Sequence, residues 1–76
     1  MQLSRRLKKL VSIVEDVQVE LRQVMREVDD LSQIRDDDLE GLLIDWVKEL
    51  EEADAHLEEA ADIMWGVAEE MEKEGL

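Results

Sequence analysis

The chain has 76 residues, of which 22 are acidic and 9 basic, giving a net charge of −13 and no cysteine, proline, tyrosine or phenylalanine. The length allows one small domain, and the missing cysteines exclude disulfides and thiolate metal sites. The charge opposes direct binding to nucleic acid or anionic lipid, and no apolar run is long enough to cross a bilayer.

The first element is a helix over about residues 3–34. Its apolar residues alternate by four and three: Leu3, Leu7, Leu10, Val14, Val17, Leu21, Val24, Val28 and Leu31. That spacing keeps one stripe on one side of a helix and calls for a partner along it. Ser4 is the candidate N-cap, with Leu3 just outside. The N-terminus is basic, but no apolar stretch follows it, so a signal peptide is not expected and a cytoplasmic setting is.

An acidic turn, residues 35–38, separates this helix from the next. Asp37 and Glu40 read as a capping box, and the aspartates suit the positive end of a helix dipole. The second helix is expected over about 38–74, with Gly75 as its stop. Its ladder runs Leu39, Leu43, Trp46, Leu50, Ala53, Leu57, Ala60, Met64, Val67 and Met71. Within it Glu51–Leu57 repeats as Glu58–Met64, which is heptad periodicity and not a solenoid.

So short a turn makes the helices antiparallel neighbours, and the fold is all-α: one helical-hairpin domain over residues 1–76. Val24 is then expected to face Trp46, Leu21 to face Leu50, and Leu3 to face Met71. The core positions are Leu7, Leu10, Val14, Val17, Leu21 and Val24 on helix one. On helix two they are Leu43, Trp46, Leu50, Ala53, Leu57, Ala60 and Met64. The layout brings Arg5, Arg6, Lys8 and Lys9 beside Glu69, Glu70, Glu72 and Glu74. Each group sits at the unfavourable end of its own helix dipole and is compensated by the other.

Two stripes make a thin core for a chain of this size. Further apolar residues flank them: Val11, Ile13, Val19, Met25 and Ile34 on helix one, and Leu42, Ile44, Val47, Ala61, Ile63, Trp65 and Ala68 on helix two. They widen the apolar face beyond a two-stranded coil, and a second hairpin is its simplest use. The expected assembly is a homodimeric antiparallel four-helix bundle. In helix count, loop brevity and layering of small and large core residues this resembles the plasmid hairpin dimers of the Rop type. That resemblance implies the bundle architecture. RNA binding needs a cationic helix face, whereas Arg22 and Arg26 here stand beside Glu20, Glu27 and Asp29.

Catalytic chemistry finds little support. Glu49 with Glu52, and Glu59 with Asp62, resemble the magnesium ligands of all-α nucleotide pyrophosphohydrolases of the MazG type. Both pairs lie on one helix, where that family uses two, and they read as a solvated acidic face. His56 follows Glu52 by four residues, not the three of a di-iron motif. Ser4, Ser12 and Ser32 have no base beside them, and the glycines are isolated. No cofactor, metal or small-molecule site is expected, and the chain reads as a non-enzyme.

Two features point to protein partners. Trp65 falls one position past the seam and is the candidate anchor, with Ile63 and Ile44 as further members. Residues 36–76 carry sixteen acids against Lys48 and Lys73. Among them Glu51, Glu52, Glu58, Glu59 and Asp62 space carboxylates along a rod, as a nucleic-acid backbone spaces phosphates. The expectation is a small homodimeric regulator or inhibitor of an unidentified protein, with smallness fitting phage or accessory-gene origin. Mimicry of nucleic acid against a DNA- or RNA-binding protein is the first alternative, and a coiled-coil scaffold is the second.

Overall fold

The computed structural model describes residues 2–34 and 39–76, apart from the side chains of Ser32, Ile34, Leu39 and Glu40. It contains two helices, α1 (Leu3–Ile34) and α2 (Leu39–Lys73), packed as an antiparallel hairpin. The result is a rod of 58 × 15 × 11 Å. The proposed Asp37–Glu40 capping box lies outside the described residues.

Local chemistry sets three of the helix details. Neither helix contains proline, and long unbranched or charged side chains dominate their outer surfaces, which favours uninterrupted helix. Gly75 takes the left-handed conformation at φ 78°. The Leu76 amide then donates to the Met71 carbonyl at 2.8 Å and the Gly75 amide to Glu72 at 3.1 Å, which closes α2 in a Schellman turn. The expected cap at Ser4 is not formed. The helix already begins at Leu3, and Ser4 is buried inside the first turn, its amide donating to the Leu76 backbone oxygen at 3.2 Å.

The seam between the helices differs from the expected one. Each helix carries three parallel rows. The middle row is Leu7, Val14, Leu21 and Val28 on α1, and Leu43, Leu50, Leu57, Met64 and Met71 on α2. All of these are buried or half-buried, as expected. The second row of the contact is not the one that completes the apolar ladder. It is Ser4, Val11, Gln18 and Met25 against Val47, Asp54, Ala61 and Ala68. Those residues include most of the buried positions, with Ala68 fully covered and Val11 and Gln18 nearly so.

Leu10, Val17, Val24 and Leu31 are therefore left exposed, as are Trp46, Ala53, Ala60 and Val67. The expected Val24–Trp46 layer does not lie in this seam: Trp46 is 46% exposed and Val24 likewise. Exchanging one flanking row for the other turns each helix by about 50° about its axis, because seven residues share two turns. Two physical reasons favour the turn. The chosen flank holds no side chain as bulky as Trp46, and Ser4, Ala61 and Ala68 are buried in it. Gln18 and Asp54 also satisfy one another across the contact. No large side chain among the described residues is fully buried, so the hairpin alone has no complete core.

Candidate functional site

In an antiparallel pair the equivalent rows of both helices turn to the same side. The hairpin consequently has two unlike edges. We call the edge bearing Gln18 and Asp54 the closed edge. The opposite one, bearing Leu10, Val17, Val24, Trp46, Ala53 and Ala60, is the open edge.

Polar chemistry holds the closed edge. Near the middle, Gln18 Nε2 donates to the Asp54 carbonyl and to Asp54 Oδ1, both at 3.3 Å. Arg22 donates to Asp54 Oδ2 through Nε at 3.4 Å and through a terminal nitrogen at 3.3 Å. Near the chain ends, Lys8 Nζ pairs with Glu72 Oε1 at 2.5 Å and stands 4.6 Å from the centre of the Trp65 ring. The Trp65 indole N–H donates to Glu69 Oε1 at 2.6 Å. The expected compensation between the basic start of α1 and the acidic end of α2 thus takes a specific form at Lys8 and Glu72. A shallow groove further along this edge, lined by Arg22, Met25, Arg26, Asp29, Val47 and Glu51, mixes both signs of charge and is open to solvent.

Apolar atoms dominate the open edge. Leu10, Val17, Val24 and Leu31 run down one side, and Trp46, Ala53, Ala60 and Val67 run down the other. Between them lies the half-buried middle row. Ile13 and Ile63 extend the face outward and are both exposed, Ile63 at 60%. Among the described residues no hydrogen bond or ion pair joins the helices along this edge. Large contiguous apolar faces are rare on monomers and mark binding surfaces.

The candidate partner residues fall in three places. Ile63 belongs to the open face. Trp65, two residues on, points about 200° away on the same helix and so lies along the closed edge, under Lys8. Ile44 shares the Trp65 row and is exposed. The three do not form one patch. Glu51, Glu52, Glu58, Glu59 and Asp62 are exposed on the closed-edge side and back of α2, away from the apolar face. His56 stands on the open side, 3.8 Å from Glu52. Among the described residues no group of three His, Cys, Asp or Glu comes together to hold a metal, and no helix is long and apolar enough to cross a membrane.

The sequence reading passed over Gln18 and Asp54 and weighed Arg22 only as part of a cationic face, because a search for apolar repeats discards polar positions. The available signal was composition: the columns Ser4, Val11, Gln18, Met25 and Val47, Asp54, Ala61, Ala68 hold small, apolar or neutral residues apart from Asp54 in a chain otherwise dense with charge. No known protein family, curated protein or solved structure matches the chain.

Proposed function

We propose that the chain is a non-enzymatic protein-interaction module. It closes its open face against a second copy as a four-helix bundle, and it offers the remaining helical surface to another protein as a regulator or inhibitor. The continuous apolar face at Leu10, Val17, Val24, Trp46 and Val67 carries this reading. The amount of surface agrees with it. The hairpin exposes 5940 Å², whereas a compact 8.9 kDa monomer exposes about 4800 Å² by size scaling. The excess is of the order of the ~800 Å² that each partner contributes to a standard interface. Analytical ultracentrifugation at micromolar concentration is the direct test. A dimer that becomes a monomer on Val17→Glu supports the reading, and a wild-type chain that sediments as a monomer overturns it.

The exposed acids of α2 favour a second reading for the outer surface: a cationic groove of a nucleic-acid-binding protein as the partner. Burying the apolar face leaves Glu51, Glu52, Glu58, Glu59 and Asp62 available. Salt separates the two contacts. Two copies at −13 each repel, so screening strengthens self-association, while it weakens any contact with a cationic groove. A partner complex that survives molar salt would remove the mimicry reading.

A further inference from the structure

We propose that the second copy docks with its turn at the same end as the first, so that α1 of each protomer packs beside α2 of its partner. This rests on the reading that the open face binds a second copy, and it adds the arrangement and the residues that select it.

The selection comes from the outermost row on each helix, just beyond the open face. On α1 this row contains Arg6, Ile13, Glu20 and Glu27; on α2 it contains Leu42, Glu49, His56, Ile63 and Glu70. Within one hairpin the two rows stand at opposite margins and cannot meet. Across a face-to-face pair they must meet, and the symmetry decides which residues do.

A two-fold axis along the rod keeps every residue at its own level. The register is set inside the hairpin at Asp54, which accepts bonds from Gln18 and, in a staggered pair, from Arg22 one turn nearer the bend. Equal steps outward from that pair give Arg6 with Glu70, Ile13 with Ile63, and Glu20 with His56. One opposite-charge pair, one apolar pair and one carboxylate–histidine pair result. Side chains on both helices lean toward their own N-termini, so at this stagger each member leans toward the other. One further step gives Glu27 with Glu49, a like-charge pair at the solvated rim.

A two-fold axis across the rod places turns at opposite ends, with α1 on α1 and α2 on α2. When the two rods overlap along most of their length, Ile13 meets Glu20 or Glu27, and Ile63 meets Glu49 or His56. Each isoleucine is then buried against a polar or charged group. Apolar residues of this row meet one another only if the rods slide, either toward their chain ends (Ile63 on Ile63) or toward their turns (Ile63 on Leu42). The first slide leaves Val24, Leu31 and Trp46 uncovered and the second leaves Leu10 and Val67 uncovered, and either defeats the purpose of the face.

The chain has no cysteine, so single thiols report proximity cleanly. Ile13→Cys and Ile63→Cys are made separately, mixed in equal amounts and oxidised, and the products are resolved by mass. Both sites are exposed in the hairpin, so neither change threatens its fold. The expected result is a linked heterodimer in high yield from the mixture, and little linkage from either variant alone. Linkage of Ile13→Cys to itself, or to Glu20→Cys or Glu27→Cys, overturns the arrangement, as does a dimer that forms no Ile13–Ile63 link. A wild-type chain that sediments as a monomer instead overturns the dimer reading itself, so the two failures are distinguishable.

Discussion

The two edges of the hairpin are built from the same repeat and behave in opposite ways. Both follow a heptad, both flank the same middle row, and both contain Val and Ala. The closed edge adds Gln18, Asp54, Ser4 and Lys8, and its polar groups find partners inside the chain. The open edge adds Leu10, Leu31 and Trp46, and its apolar surface finds none there. Polar groups select a neighbour by geometry, whereas apolar groups ask only for coverage. A short chain can thus use one edge to fix its own hairpin and keep the other for an interface.

Making the open edge polar should have the largest effect. Val17→Glu puts a carboxylate at the centre of the proposed dimer face, where an unpaired charge is very unfavourable. Self-association should weaken by at least about 100-fold, equivalent to roughly 3 kcal/mol. Sedimentation measures it, and an unchanged dimer would show that the face is not the interface.

Making the closed edge lose its polar pair comes next. Asp54→Ala leaves the nearly buried Gln18 amide without its carboxylate and releases Arg22. Stability should fall by about 1–3 kcal/mol in denaturant titration. The double change Gln18→Leu with Asp54→Leu should instead keep or raise stability while making the two edges alike. Its expected signature is loss of a single species, seen as broadened sedimentation boundaries. A clean dimer from that variant would show that the polar pair does not select the edge.

Trp65→Ala probes the closed edge near the chain ends. It removes the ring under Lys8 and its packing, at about 1 kcal/mol of thermal stability. Because Trp65 lies away from the open face, the dimer should persist, and dissociation at equal folding would place this residue in the interface after all. Gly66→Ala should have the smallest effect and the opposite sign. Nothing lies within 4 Å of a Cβ placed there, so the helix gains up to about 1 kcal/mol of propensity and melts at higher temperature.

Much of the fold can be read without coordinates. The two ladders, the near absence of turn residues inside them and Gly75 specify two helices and their ends, because helical periodicity and capping are local properties. The middle row is legible too: Leu7, Val14, Leu21 and Leu50 contribute to the contact whichever flank is chosen. The flank itself is not legible from apolarity. The ladder that best satisfies a hydrophobic pattern includes Leu10, Val17 and Trp46, and the hairpin leaves those three outside. Trp65 illustrates the same limit for the candidate site, since its neighbours Lys8 and Glu69 become evident only once the helices are placed.

The order of residues is enough to specify two long helices folded back on one another, acidic along the second, with more apolar surface than one seam can bury. Which surface stays uncovered emerges only when the helices pack. A helix with three adjacent rows can present either pair of them to a single neighbour, and hydrophobic burial alone distinguishes those choices weakly. The choice was made by a flank that does not have to bury Trp46 and by the bonds from Gln18 and Arg22 to Asp54, which join positions more than thirty residues apart in the chain.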